Sequence, residues 1–184
     1  MDLASLSAHK IQGPKGVGAL YIRQGSRISP ITYGGPHERG MRPGTENVPG
    51  IVGFGKAAEI ASLELYKMKE VKRLRDLLEE EILERIADVQ INGSQQMRLP
   101  TTTSISFSGT FAESLLTHLD QKGIAVSAGS ACNSSSPASH VLKSIGLSKE
   151  EMLSTLRFSL GVGNTEEEIR FVISAVQEAV NKLR

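Results

Sequence analysis

The sequence predicts an α/β protein, with helices packed on a mixed sheet. From position 89 onward, short apolar strands alternate with segments that begin at helix-capping residues. Before them, helical patterning runs from position 48 to about 87, with one break. Between Val71 and Ile82, apolar residues recur at three- and four-residue spacing, which predicts one buried helix face. These observations favour helices that each bury one face against a sheet.

The first 50 residues have a different character. Two short apolar segments, 3–6 and 18–22, flank a turn rich in glycine and proline at 13–16. Residues 33–50 then form a long loop dense in glycine and proline. A loop of that length inside a compact domain is usually functional, so we expect it to contribute to a site.

The second half carries the clearest local signals. Strands are predicted at 89–92, 102–108, 124–127 and 156–160. Ser or Thr followed three residues later by Glu predicts helix starts at Thr110, Ser148 and Thr165. The first of these helices should stop at Gly123, so the strand at 124–127 would lead directly into the segment that holds the only cysteine.

Composition limits the classes of function. The chain has 184 residues, a formal net charge of +1 and 39% hydrophobic residues, enough for one globular domain or slightly more. Near-neutral charge argues against nucleic acid as a direct partner. One cysteine excludes an internal disulfide framework and fits a reducing compartment. No apolar run reaches the ~20 residues of a membrane helix and residues 1–4 do not resemble a secretory signal, so we predict a soluble, cytoplasmic protein without a membrane partner.

The single cysteine, Cys132, is a candidate nucleophile. A lone cysteine is about as often a small packed hydrophobe as a reactive group. Here residues 127–137 are almost all Ser, Gly, Ala and Asn, which favours an exposed loop. Because thiolate character and access set the reactivity of a thiol, this setting favours chemistry over packing.

Lys10 is a second candidate. It follows Ser7 and His9 at the end of a predicted strand, where a lysine is most often an ordinary surface residue. The functional alternative is a lysine that forms a Schiff base with an aldehyde cofactor. Ser7 and His9 would then be near enough to help hold a phosphate. The residues alone leave both interpretations open.

Four segments, in order along nearly the whole chain, resemble blocks of the cysteine desulfurases, which are pyridoxal-phosphate enzymes of the class V aminotransferase group. These segments are 7–18, 34–45, 130–132 and 157–161. The resemblance implies the C-terminal part of a fold-type I pyridoxal-phosphate-dependent transferase, with a small α/β domain and the last edge of the large domain. Residues 1–45 would be the remnant of the large cofactor-binding domain. Residues 46–87 would form connecting helices, and 88–184 the small C-terminal domain with the cysteine loop.

The resemblance implies pyridoxal 5'-phosphate as the cofactor and no metal. Lys10 would bind the cofactor aldehyde and later move the substrate α-proton. Ser7 and His9 would contact the cofactor phosphate. Thr45 would reach the phosphate bound in the other subunit of a homodimer.

It also implies a substrate site. Arg157 would pair with the substrate carboxylate, whereas the residue alone favours a surface salt bridge at the end of a strand. His37 and Arg39 would lie in the pocket or at the dimer interface. Cys132 would attack the substrate sulfur.

The implied function is removal of sulfur from L-cysteine as a Cys132 persulfide, giving L-alanine. The sulfur would serve iron-sulfur cluster assembly or tRNA thiolation, with a scaffold protein or a tRNA-thiolating enzyme as acceptor. Two alternatives stay open. One is a non-catalytic module for dimerisation or acceptor binding that lacks cofactor, and the other is a class V enzyme similar to selenocysteine lyase.

The family's complete chains are substantially longer, and the resemblance begins just before Lys10. Most of the large domain is therefore unmatched, including the groups that pair with and stack on the cofactor ring. A strand at 18–22 without neighbours would expose apolar surface and unpaired backbone groups. We therefore predict a partner, either a separate N-terminal half or a second copy of the chain. Whether this chain binds the cofactor alone stays open.

Overall fold

The computed structural model describes residues 1–128 and 139–184, which form two compact units. The first unit is Met1–Tyr66 and the second is Lys67–Arg184. The boundary lies within 46–87, the stretch for which connecting helices are predicted, and the three-part division stays a prediction. In the described part of the chain, no helix is both long enough and apolar enough to cross a membrane.

The first unit contains a two-stranded sheet and one long helix. Strand β1 (Leu3–Ser7) pairs antiparallel with β2 (Gly18–Ile22), so both apolar segments form strands. A short 3-10 turn, Ala8–Ile11, follows β1 directly and packs against helix α1 (Val48–Leu63). Asn47 caps α1 with its side-chain oxygen, which satisfies a backbone N–H in the first turn.

The second unit is a three-stranded sheet with helices packed on it. Its strands lie in the order β3 (Val89–Ile91), β4 (Thr102–Phe107), β5 (Thr155–Ser159). Its helices are α2 (Met68–Arg85), α3 (Ala112–Asp120), α4 (His140–Ser144), α5 (Lys149–Leu153) and α6 (Glu166–Leu183). All strand pairings of the described residues are antiparallel, where a mixed sheet was expected. Between β3 and β4 the chain reverses through a loop without the crossover helix that a parallel pair requires.

The core of the second unit lies between the sheet and helices α2, α3 and α6. The predicted stripe on α2 is buried, from Val71 at 2% exposure to Ile82 at 0%. Ile105 and Phe107 of β4 are fully buried opposite it. Burial of each such side chain contributes about 1.5–3 kcal/mol, so this cluster is the main source of stability of the unit.

Two of the three predicted capping boxes form. Ser148 and Thr165 each accept a hydrogen bond from the backbone N–H three residues on, and the glutamate there returns one. The expectation at Thr110 is wrong, because its buried hydroxyl donates instead to the carbonyl of Phe107 at 2.7 Å. Helix α3 therefore begins after Phe111 without a side-chain cap. The tight turn after β4 uses the hydroxyl that the helix would have needed.

Six charged side chains form an alternating chain of ion pairs across α2 and α6. In order, they are Glu70, Arg73, Glu166, Arg170, Glu81 and Arg85. Glu166 is central, with oxygens 2.8 Å from Arg170 Nη2 and 2.9 Å from Arg73 Nη2. Hydrogen bonds from Arg170 and then from Arg73 hold the pKa of Glu166 below its ordinary value.

We expect Glu166→Gln to make stability less sensitive to acid. A carboxyl with a lowered folded-state pKa contributes stability above its unfolded value of 4.5, and loses it as the pH falls through the folded-state pKa. Below about pH 4.5, the free energy of unfolding of the wild type should therefore fall more steeply than that of the variant. Urea unfolding at a series of pH values measures both slopes.

Glu167→Gln is the matched control. Glu167 is the next residue on α6, is exposed and pairs with no arginine among residues 1–128 and 139–184. Its variant should keep the wild-type slope. Equal slopes for the two variants would contradict the assignment to Glu166.

Candidate active site

Lys10 is exposed on the 3-10 turn that follows β1. Ser7 is the last residue of β1, and His9 precedes Lys10 on the turn, so the three lie within four consecutive residues and all are exposed. Among the described residues, the Lys10 amine has no carboxylate partner. An accessible amine that no carboxylate pairs with is suited to condense with an aldehyde.

Backbone hydrogen bonds and packing on α1 hold the turn that presents Lys10. Ala8 is fully buried, and its N–H donates to the carbonyl of Val17 at 3.1 Å. The N–H of Gly13 donates to the carbonyl of Ala8 at 2.9 Å. A Cβ on Gly13 would lie 3.0 Å from that carbonyl oxygen and 3.2 Å from the Cβ of Ala57 on α1. Glycine at position 13 therefore lets the turn sit directly on α1.

Arg42 holds the long loop just before α1. Its Nη1 donates to the carbonyl of Gly44 at 3.1 Å and to that of Thr45 at 3.3 Å. The contact positions the backbone of Thr45, which is itself exposed. Sequence reasoning assigned Arg42 no role, and the available signal was an arginine directly before a Pro-Gly turn in a loop already expected to be functional.

His37 and Arg39 lie in a strained part of the same loop. The His37 ring packs on Gly35, where a Cβ would lie 2.7 Å from Cε1 of the imidazole. His37 Nδ1 is buried and accepts or donates no hydrogen bond in the part of the chain that the structure describes. Glu38 and Arg39 both have left-handed backbone angles, with φ of 49° and 57°. Such conformations cost about 1–2 kcal/mol per residue and are often retained at functional loops.

In the second unit, Arg157 lies on the sheet face opposite to the core. It is exposed on β5, directly across from Ser104 of β4, whereas Leu156 and Phe158 on either side of it are buried. Among the residues that the structure describes, no carboxylate pairs with Arg157. The surface salt bridge considered from the sequence is therefore not formed among them, and the guanidinium is accessible to an anion.

Only part of the predicted strand at 124–127 forms. Ser127 makes an isolated antiparallel bridge with Arg157, with N–O distances of 2.7 Å and 3.2 Å in the two directions. The bridge places the start of the polar segment 127–137 next to the strand of Arg157. Cys132 lies in 129–138, outside the described residues, and its role as nucleophile stays a prediction.

A buried polar cluster supports the strand that carries Arg157. Ser106 Oγ and Thr155 Oγ1 are 2.7 Å apart, and Asn92 Nδ2 donates to Ser106 Oγ at 2.8 Å. Thr155 Oγ1 also donates to the carbonyl of Glu151 at 2.5 Å. Buried polar groups are costly unless they are paired. These hydrogen bonds therefore stabilise the packing of β5 against β4 and Asn92.

The structure thus places the predicted site residues in two groups. Six of them belong to the first unit and Arg157 to the second. Ser7, His9, Lys10, Thr45, His37 and Arg39 form the first group. Together the two units define an α/β protein that presents an accessible lysine on the turn after one sheet and an accessible arginine on a strand of the other.

The chain belongs to the aminotransferase class-V family, whose model matches residues 1–172. This confirms the membership and the α/β fold expected from the four segments. The enzymes of this family and the NifS-like cysteine desulfurases depend on pyridoxal phosphate.

Similar proteins are named cysteine desulfurases, and a similar solved structure is that of a NifS-like protein. A cysteine desulfurase IscS of Dictyoglomus turgidum is 47% identical over 186 residues, which cover all of this chain and 47% of that protein. A cysteine desulfurase IscS of Methanosarcina thermophila is 48% identical and is covered to 46%. The structure of a NifS-like protein matches all of this chain with a TM-score of 0.87 at 38% identity, over 47% of its own length. The chain therefore spans about half the length of the curated relatives it matches.

The donor set of the first unit fits pyridoxal phosphate. Lys10 offers an accessible amine for the aldehyde, and Ser7, His9 and Thr45 offer hydroxyl and imidazole donors for a phosphate. In the described residues, none of these four groups is engaged in an ion pair. The amine suits the aldehyde of the cofactor, and the hydroxyl and imidazole groups suit its phosphate.

Proposed function

We propose that this chain is the part of a cysteine desulfurase that carries the cofactor lysine, the substrate arginine and the cysteine that accepts sulfur. The observation that carries the proposal is the accessible Lys10, whose amine pairs with no carboxylate among the described residues, in a chain 47% identical to a cysteine desulfurase. The activity, the substrate and the partners belong to the whole protein and are inferred from its relatives.

The first unit would hold the cofactor. Lys10 Nζ binds the aldehyde and later carries the α-proton of the substrate. Ser7 and His9 donate to the phosphate, and Thr45 donates to the phosphate held by the other subunit of a homodimer. When bound, pyridoxal phosphate supplies an electron sink for the charge left on Cα as its proton leaves.

The second unit would hold the substrate and take the sulfur. Arg157 pairs with the carboxylate of L-cysteine through its two-donor fork. The thiolate of Cys132 attacks the substrate sulfur, so the Cβ–S bond breaks and a persulfide forms on Cys132. Cβ gains a proton and becomes a methyl group, a proton is returned to Cα, and the product leaves as L-alanine. Carbon is reduced and sulfur oxidised in the same step, so no external reductant is needed.

The persulfide sulfur then passes to an acceptor of iron-sulfur cluster assembly or of tRNA thiolation. His37 and Arg39 would line the pocket or the dimer interface, because they lie in the strained loop that leads to Thr45. The unused, buried Nδ1 of His37 supports a contact from outside the described residues.

The proposal is tested with a two-part preparation. In it, this chain is co-produced with the portion of the Dictyoglomus turgidum relative that lies outside the matched residues. We expect this preparation to bind pyridoxal phosphate and to form alanine from L-cysteine. Cys132→Ser should lower alanine formation on the order of a thousandfold or more while the absorbance of bound cofactor is unchanged. Ser136→Ala, in the same segment, should retain the activity.

Three results would count against the proposal. Loss of both cofactor and activity in Cys132→Ser would mean that the thiol is structural. Absence of bound cofactor in an assembled two-part preparation would favour a non-catalytic binding module. Turnover of L-selenocysteine without turnover of L-cysteine would favour a selenocysteine lyase.

A further inference from the structure

Ser104 lies directly beside Arg157 on the sheet face opposite to the core. The two residues are cross-strand partners of β4 and β5, so their side chains project from the same face. Arg157 exchanges both of its backbone hydrogen bonds with Ser127 on its other side, at 2.7 Å and 3.2 Å. Its pair with Ser104 is therefore of the non-hydrogen-bonded kind, in which the two side chains lie closer together. The hydroxyl of Ser104 and the guanidinium of Arg157 can thus reach one small ligand.

A chain of buried hydrogen bonds leads from the carbonyl of Glu151 to Ser104. Thr155 Oγ1 gives its one proton to that carbonyl at 2.5 Å, so it accepts from Ser106 Oγ at 2.7 Å. The other acceptor near Ser106 Oγ is Asn92 Oδ1, which is farther away at 3.2 Å. Because Ser106 gives its proton to Thr155, its oxygen accepts from Asn92 Nδ2 at 2.8 Å. All three side chains are at most 7% exposed, so water does not compete for these bonds.

The chain of hydrogen bonds ends at the hydroxyl of Ser104. Asn92 Nδ2 also lies 3.4 Å from Ser104 Oγ, which accepts on that side. A hydroxyl has one proton, and no other group among residues 1–128 and 139–184 takes the proton of Ser104. Arg157 cannot take it, because a guanidinium has only donors. Ser104 is partly exposed, so an O–H and a guanidinium are both available to an anion on this face.

We propose that Ser104 donates a hydrogen bond to the same substrate carboxylate that Arg157 pairs with, and that it thereby helps to select substrates with a carboxylate. The inference deepens the proposed function and rests on it for the identity of the substrate. A carboxylate has about four acceptor sites, so it can accept the two-donor fork of Arg157 and a hydroxyl together. Because Asn92 already orients the hydroxyl, little freedom is lost when the carboxylate binds. A substrate amine without a carboxylate would leave both donors unpaired.

The experiment measures binding of L-alanine and of ethylamine to the two-part preparation. These two amines differ only in the carboxylate, and the change in absorbance of bound pyridoxal phosphate follows each of them. We expect Ser104→Ala to weaken L-alanine binding on the order of tenfold, as for loss of a hydrogen bond to a charged group, and to leave ethylamine binding unchanged. Ser104→Thr keeps the hydroxyl and should restore L-alanine binding. In turnover, Ser104→Ala should raise KM for L-cysteine with kcat unchanged, because the contact is the same in the ground state and the transition state.

Ser159→Ala is the matched control. Ser159 is exposed on the same face of β5, two residues from Arg157 and across from Thr102. Its variant should bind both amines as the wild type does. Urea unfolding of this chain should be nearly unchanged by Ser104→Ala, because Ser104 is partly exposed and its contact with Asn92 is long.

The outcomes distinguish this role of Ser104 from the proposed function. The proposal is overturned if Ser104→Ala binds L-alanine as tightly as the wild type, or if it weakens the binding of both amines equally. An equal loss in Ser159→Ala would also overturn it, because the effect would then not belong to the hydroxyl of Ser104. A wild-type preparation that binds L-alanine through Ser104 but forms no alanine from L-cysteine would support the role of Ser104 and reject the proposed function.

Discussion

Glu79→Ala should lower the free energy of unfolding of this chain by about 3–5 kcal/mol, because it leaves buried arginine charge without its partner. Glu79 is 7% exposed on α2. Its two carboxylate oxygens accept hydrogen bonds from Nη1 and Nη2 of Arg98, both at 2.6 Å. Arg75, 2% exposed, lies one turn away and donates to Asp76 and to the carbonyl of Leu99. Arg75 Nε also lies 3.9 Å from Glu79 Oε1, so removal of the carboxylate would take a counter-charge from both Arg98 and Arg75.

The effect is measured by urea unfolding of the whole chain, with Glu80→Ala as the control. Glu80 is the next residue on α2, is exposed and has no ion-pair partner among the described residues, so its variant should stay within about 0.5 kcal/mol of the wild type. The double variant Glu79→Leu/Arg98→Met should recover much of the loss, because it removes both charges together. Equal stability of the two alanine variants would show that the pair contributes little.

Lys10→Ala in the two-part preparation should remove bound pyridoxal phosphate and abolish desulfuration. The amine both binds the aldehyde and moves the α-proton, and proton transfer by a positioned side chain alone contributes on the order of 10²–10⁴-fold. The loss of activity should therefore be at least that large. The absorbance of the bound cofactor is the first readout, and it does not depend on turnover.

Lys15→Ala is the matched control for Lys10. Lys15 is also exposed, lies in the turn between β1 and β2, and has no carboxylate partner in the described part of the chain. Its variant should bind cofactor and turn over L-cysteine as the wild type does. Cofactor retained by Lys10→Ala at the wild-type level, with activity preserved, would assign the lysine to the surface and reject its catalytic role.

Features with a local cause were predictable from the sequence. The buried stripe on α2 and the caps at Ser148 and Thr165 follow from residues at most one or two turns apart. The cap at Thr110 was wrong because a competing carbonyl, on Phe107, lies in a turn that forms only when β4 ends there. Of the strand predicted at 124–127, only the bridge at Ser127 forms, because its pairing depends on where the distant strand β5 lies.

In the candidate site, too, the residue types were predictable from the sequence and the contacts between them were not. The sequence pointed to Lys10, Arg157 and the loop that contains Thr45, through a resemblance that the family match confirms as a whole. It could not show that Arg42 fastens that loop, because the contact depends on how the backbone turns between Arg42 and Thr45. Nor could it show that Arg157 lies on the sheet face opposite to the core and that its side chain pairs with no carboxylate among residues 1–128 and 139–184.

The sequence by itself determined the α/β class, the family and the residue types available for chemistry, because periodicity, caps and ordered segments are properties of neighbours along the chain. Only the tertiary structure decided that Glu79 would meet Arg98, 19 positions away, and that both faces of the β1–β2 sheet would be exposed. The physical reason is that burial and ion pairing depend on which distant segments come together. No local pattern carries that information.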